Sequence, residues 1–194
     1  MIRRGDTLHN PVTGERMTFL ETAEDTGGEY VLIELRAAPN AVVAAAHVHP
    51  TQAERFEIVS GRIGLKVDGD RFEAGPGETV VVEVGQAHKW WNAGAEELVF
   101  RCEIRPALAF ESLIETMFSL AADGKTNRKG MPNPFRLAVI AKAHFDTVRL
   151  PLVPVWMQSS ALAVGASLGL ALGYGPTYAP ERPAAAGRLV PKPA

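Results

Sequence analysis

Three histidines and one glutamate are the residues of this chain whose types and spacing could do chemistry. His47 and His49 are separated by one residue, and Glu54 follows five positions later. His88 lies further along, in a stretch that ends at Asn92. Residues two apart in a β-strand point to the same face, so a strand here would turn both imidazoles the same way. Three imidazoles and one carboxylate make a complete ligand set for a divalent first-row metal, and the sequence predicts that these four residues bind one.

The neighbours of these residues predict what surrounds the metal. Phe56 and Ile58 are in phase with Glu54, and Trp90 and Asn92 are in phase with His88. We interpret these four residues as the lining of a cavity, and the apolar members favour an aromatic or otherwise apolar small molecule. The alternative for Trp90 is plain packing in the core.

Short strands must position these side chains. Apolar stretches alternate with turns rich in Gly, Asp and Asn, as expected for a mainly β, antiparallel barrel or sandwich. Besides the strand that contains Glu54, the predicted strands cover residues 17–22, 29–36, 42–49, 61–67, 71–73, 79–83, 88–92 and 97–104.

The same positions resemble the double motif of the cupin family. The first half, H-x-H-x4-E-x6-G, is matched by His47, His49, Glu54 and Gly61. The second half, G-x5-P-x-G-x2-H-x3-N, is matched by Gly77, Gly85, His88 and Asn92. The resemblance implies a small cupin with an RmlC-like jelly-roll barrel over residues 1–106, with the metal held inside by the matched histidines and glutamate.

Two positions depart from the family pattern. Ala41 stands where the first motif usually opens with glycine, and Glu83 stands where the second usually has proline. Because an unpaired buried carboxylate is costly, we expect the side chain of Glu83 to face outward.

The pattern changes to helical spacing after Pro106. Apolar residues recur every three or four positions over 110–121, Asn133-Pro134 is typical of a helix start, and residues 155–174 form a third apolar helical stretch. We therefore predict a helical C-terminal extension over residues 107–179. The tail over 180–194, rich in Pro, Ala and Arg, is predicted to be disordered.

The apolar segment 153–175 allows two interpretations. Its length suits a membrane span, and Trp156 and Tyr174 resemble interfacial anchors. Its serines, glycines and alanines make the segment less hydrophobic and so weaken the tendency to insert into a membrane. We therefore favour a helix packed on the barrel or on a partner subunit.

Composition excludes several classes. A net charge of -2 leaves no basic excess for nucleic acid. One cysteine excludes an intramolecular disulfide framework, and the first residues lack the apolar core of a signal peptide, so we expect a cytoplasmic protein.

The ligand set suits Fe, Mn, Ni, Cu or Zn without choosing among them. The first hypothesis is a metal-dependent oxygenase-type enzyme acting on a small, partly apolar organic substrate. The second is a non-catalytic cupin module that binds metal or a small molecule, and the third is a membrane-tethered form of such a protein. No catalytic residue stands out beyond the ligands. Because an open jelly-roll edge favours pairing, we also expect a homodimer.

Overall fold

A computed structural model of the chain describes residues 2–39, residue 41 and residues 45–179. In this part of the chain, ten strands precede three helices. The strands are β1 (Thr7–Asn10), β2 (Glu15–Glu21), β3 (Val31–Ala37), β4 (His47–Val48), β5 (Ala53–Ser60), β6 (Ile63–Val67), β7 (Asp70–Ala74), β8 (Thr79–Val82), β9 (Ala87–Asn92) and β10 (Leu98–Arg105). The helices are α1 (Phe110–Ala122), α2 (Pro134–Ala143) and α3 (Val155–Ala171).

The strands form two antiparallel sheets that face each other across one core. The larger sheet has the order β1-β2-β3-β10-β5-β8, and the smaller has the order β4-β9-β6-β7. The alternation of side chains along β5 gives the strand one face toward this core. Glu54, Phe56 and Ile58 are buried, whereas Arg55 and Glu57 between them are exposed. The prediction of a mainly β, antiparallel jelly roll followed by helices is confirmed.

Most element boundaries agree with the predicted ones to within a few residues, with one strand missed. Strand β1 was not predicted because only Leu8 of its four residues is apolar, which leaves no alternation to detect. It pairs with β2, where the hydroxyls of Thr7 and Thr18 lie 2.8 Å apart. Residues 42–44 of the predicted strand 42–49, and the tail 180–194, lie outside the described residues.

The helices follow the predicted pattern. The side chain of Asn133 accepts a hydrogen bond from the backbone N–H of Phe135 at 2.9 Å and so caps α2. Helix α3 packs against α2 through Gly169, where an added Cβ would lie 2.4 Å from the carbonyl oxygen of Phe135. The face of α3 turned away from α2 remains exposed, and 70% of the surface of Trp156 is accessible. Among the helices of the described residues, none combines the length and apolar character needed to cross a membrane.

Candidate metal centre

The four predicted ligands come together between the two sheets. The Cα atoms of His47 on β4 and His88 on β9 are direct partners in the smaller sheet. His49 follows β4, and Glu54 reaches the same point from β5 in the larger sheet. One potential ligand atom from each residue lies within 4.8 Å of those of the others, so the group has the composition and spacing of a site that can hold a metal ion.

Backbone carbonyls orient all three imidazoles. Nδ1 of His47 lies 3.0 Å from the oxygen of Ala45, and Nδ1 of His88 lies 3.1 Å from the oxygen of Gln86. Nδ1 of His49 lies 2.5 Å from the oxygen of Thr147. Because a carbonyl oxygen only accepts, each Nδ1 must carry the proton and donate it. In a neutral ring the other nitrogen, Nε2, is then a free lone pair suited to a metal.

These lone pairs meet the carboxylate of Glu54. Nε2 of His88 lies 2.8 Å from Oε2 of Glu54, and Nε2 of His49 lies 3.4 Å from Oε1. Although these atoms are close, Nε2 of both rings and Oε2 of Glu54 are buried and make no hydrogen bond of acceptable geometry. An unsatisfied buried polar group costs about 1–3 kcal/mol, and a cation between these acceptors would satisfy all of them. The residues present therefore fit a divalent metal ion.

The electrostatics of the metal-free group agree with this view. Burial acts to raise the pKa of Glu54, but His49 and His88 outweigh it and hold the pKa well below its usual range. Burial, with a smaller contribution from the neighbouring imidazoles of His88 and His49, lowers the pKa of His47 to about 4. Burial also opposes the charged form of His49, yet the adjacent carboxylate leaves its pKa raised. A metal ion therefore competes with protonation of His49 for the same Nε2 lone pair.

The predicted cavity residues are all buried, and the three apolar ones belong to one core cluster, in which Phe56 and Trp90 both pack against Phe100. The Trp90 and Phe100 rings have centroids 5.2 Å apart, and the Phe56 and Phe100 rings have centroids 5.5 Å apart. Ile58 is 1% exposed in the same cluster. The role of these side chains in lining a ligand cavity stays a prediction.

Asn92 has a role in the structure that the sequence did not reveal. Its amide nitrogen lies within hydrogen-bonding distance of the carbonyl oxygens of Ala37, Ala38 and Glu96, and its side-chain oxygen accepts from the N–H of Gly94. With its polar atoms bonded to backbone, Asn92 ties the end of β3 to the loop after β9. Its place in a cavity lining stays a prediction, carried by its position on the inner face of β9.

The turn that precedes His88 confirms the expectation for Glu83. The Glu83 side chain is exposed, and its backbone N–H donates to Oε1 of Gln86 at 2.8 Å. Gly85 has a φ of 82°, a region that favours glycine, and its N–H donates to the carbonyl oxygen of His49 at 2.9 Å. Gly85 therefore shapes the turn and joins the two ligand segments.

Sequence reasoning missed two further groups around the site. Gln52 is 1% exposed, and its Nε2 donates to the carbonyl oxygens of Pro106 and Ala107. Its position just before β5 and two residues before Glu54, in phase with that residue, was a signal that could have found it. The carbonyl of Thr147 gave no such signal, because a backbone group carries no side-chain identity.

Comparison with known proteins agrees with the geometry. Residues 34–104 match the family model described as a cupin domain, the family whose paired motif the chain resembles. A probable oxidoreductase of Hypocrea virens, VirH, is 28% identical over 176 residues, which cover 82% of this chain and 80% of that protein.

Solved structures that are similar to the chain include two cupin-type proteins. A predicted oxalate decarboxylase of Thermotoga maritima has 20% identity and a TM-score of 0.48, covering 55% of this chain and 99% of that chain. An RmlC-like cupin of Shewanella frigidimarina has 15% identity and a TM-score of 0.46, covering 54% of this chain and 86% of that chain.

Proposed function

We propose that the chain is a metal-dependent cupin oxidoreductase of the oxygenase type, acting on a small, partly apolar organic molecule. The observation that carries this proposal is the cluster of His47, His49, Glu54 and His88, in which Nε2 of His49, Nε2 of His88 and Oε2 of Glu54 are buried without a hydrogen-bond partner. A divalent ion held there would supply Lewis acidity and, for iron, manganese or copper, one-electron chemistry. The similarity to a probable oxidoreductase supports the reaction class.

The residues of the chain would bind and orient the reactants. Three neutral imidazoles and one carboxylate leave a net charge near +1 when a divalent ion is bound, which favours a substrate with an anionic or chelating oxygen. The apolar side chains of Phe56, Ile58 and Trp90 lie on the inner side of the same barrel and would keep water from an apolar part of the substrate.

A second candidate is a non-catalytic module that binds a metal or a small molecule. The observation in its favour is that, among the described residues, the buried His/Glu group contains one carboxylate, which the metal itself would use. A proton-transferring group separate from the ligands is therefore not part of this cluster. Under either function we propose a homodimer with a small-molecule ligand and no nucleic-acid partner, resident in the cytoplasm.

Elemental analysis of the purified protein tests the metal site. We expect about one equivalent of a transition metal in the wild type and a sharp loss in His49→Ala. His9→Ala is the matched control, because His9 is an exposed histidine outside the cluster and its loss should leave the metal content unchanged. Equal metal in His49→Ala and wild type would refute the site.

Turnover then separates the two candidates. The protein is loaded anaerobically with Fe(II) or Mn(II) and mixed with a panel of small aromatic and apolar carbonyl or hydroxy compounds, and dioxygen consumption is followed with product analysis. Dioxygen uptake with a substrate, absent in His49→Ala, supports the enzyme. Stoichiometric metal and ligand binding without any turnover supports the binding module.

A further inference from the structure

The segment after α2 forms backbone hydrogen bonds with an edge strand of the barrel. Strand β4 is the outer strand of the smaller sheet. The N–H of Arg149 donates to the carbonyl oxygen of Val48 at 2.9 Å, and the N–H of Val48 donates to the oxygen of Arg149 at 3.0 Å. The hydroxyl of Thr51 donates to the oxygen of Asp146 at 3.1 Å. The C-terminal extension therefore lies directly beside β4, which carries His47 and leads into His49.

Within this segment, Thr147 makes the contact that reaches the site. Its carbonyl oxygen accepts from Nδ1 of His49, and both residues are buried. The Nδ1 atoms of His47 and His88 bond to carbonyls only two residues away along the chain. The partner of His49 lies 98 residues away. Two ligands are thus oriented by their own surroundings, whereas the third depends on the extension.

One side chain on α3 also binds this segment, at its C-terminal end. Gln158 is buried, and its Oε1 accepts from the N–H of Leu150 at 3.0 Å. Its Nε2 lies 3.1 Å from the oxygen of Leu150 and 2.7 Å from the oxygen of Val153. Leu150 directly follows Arg149, the residue bridged to β4. The contacts therefore run without a break from α3, through this segment, to the imidazole of His49.

We propose that the helical extension completes the metal centre, with Gln158 as a positioning residue that acts through the carbonyl of Thr147. This carbonyl keeps the proton of His49 on Nδ1 and leaves the Nε2 lone pair facing Glu54. Displacing the segment releases the ring to change tautomer and orientation. Loss of such an outer partner of a ligating histidine typically costs about 10–100-fold in metal affinity. The inference rests on the proposed metal site, but the tautomer of His49 is measurable without metal.

The test compares Gln158→Leu, which keeps a similar volume and removes all three hydrogen bonds, with Ser159→Ala at an exposed neighbouring position of α3. Zn(II) affinity is measured by chelator competition. The ring nitrogens of the histidines in the metal-free protein are measured by long-range ¹H–¹⁵N NMR at alkaline pH. For Gln158→Leu we expect about a 10-fold loss of affinity and a mixture of tautomers at His49. The other two ligand histidines should keep the Nδ1 proton, and Ser159→Ala should match the wild type.

An unchanged Zn(II) affinity together with an unchanged His49 tautomer in folded Gln158→Leu would overturn the proposal. If Gln158→Leu does not fold, Thr51→Val takes its place, because it removes only the hydroxyl bond to the segment. Its Zn(II) affinity and His49 tautomer are then judged in the same way. A wild type that binds no metal would refute the proposed function alone. The NMR signals of His49 would still show whether the extension orients the ring.

Discussion

Replacing Glu15 with glutamine should make the protein more stable at alkaline pH. Glu15 opens β2 and is 6% exposed, with the hydroxyl of Thr13 as its hydrogen-bond donor. Burial raises the pKa of Glu15 from 4.5 to about 7, although the bond from Thr13 opposes the rise. Its backbone pairs with Ala37, at the start of the loop that leads to the metal-ligand strand.

The direction in which the unfolding free energy changes with pH follows from proton binding to Glu15. Between pH 4.5 and about 7 the folded state holds a proton on Glu15 that the unfolded state has lost. The unfolding free energy therefore falls as pH rises through this window and levels off above the folded-state pKa. At about 1.4 kcal/mol for each tenfold change in proton affinity, the loss amounts to about 3 kcal/mol. Glutamine resembles the protonated acid and cannot ionise, so Glu15→Gln avoids the loss.

Urea unfolding followed by tryptophan fluorescence measures the effect. Near pH 5 the variant and the wild type should differ little, and above about pH 8 the variant should be more stable by up to about 3 kcal/mol. Glu96→Gln, at an exposed glutamate, is the control, and its difference in stability from the wild type should not increase with pH. A difference between Glu15→Gln and wild type that stays constant across the range would refute the reasoning.

Three other predictions concern the site and the extension. Because Glu54 keeps the pKa of His49 raised, metal affinity should fall as pH falls through that pKa, and calorimetry in buffers of different ionisation enthalpy should show proton release on binding that grows as pH falls. Release of no proton at any pH at which the metal binds would contradict it. Gly169→Ala should lower the unfolding free energy by about 1–3 kcal/mol, because the new methyl group meets the Phe135 carbonyl, and thermal unfolding beside Ser159→Ala measures this. Light scattering should give a dimer mass for the wild type and a monomer mass for Leu168→Glu, which places a charge on the exposed apolar face of α3; a monomeric wild type would count against the homodimer.

The sequence predicted the ligand group because its signal is local. His47 on β4, His49 just after it and Glu54 on β5 lie close together in the chain, and side-chain alternation predicts which face each one takes. The helix starting at Asn133 was likewise readable, because its cap and first-turn proline are adjacent in the chain. These features need no knowledge of how distant elements pack.

The features that the sequence did not predict depend on tertiary contacts, which have no sequence signature. Strand β1 exists because β2 offers it a partner, since its own four residues show no strand pattern. The amide of Asn92 belongs to a motif, but the three carbonyls it meets come from the end of β3, the residue after it and the loop after β9. The carbonyl acceptor of His49 could have been any residue, and only the path of the chain after α2 selects Thr147.

The long separation between His49 and its acceptor also sets an order of events during protein synthesis. The 98 residues between them take a ribosome about 5–20 s to add, at about 5–20 residues per second. In the later part of that interval, once β9 has been added, all four candidate ligands are already made, while the carbonyl group that fixes one imidazole is not. Under the proposed function, a nascent barrel would meet metal ions with the imidazole of His49 still free to rotate. The fully oriented ligand group would then be available only to a chain translated past its second helix.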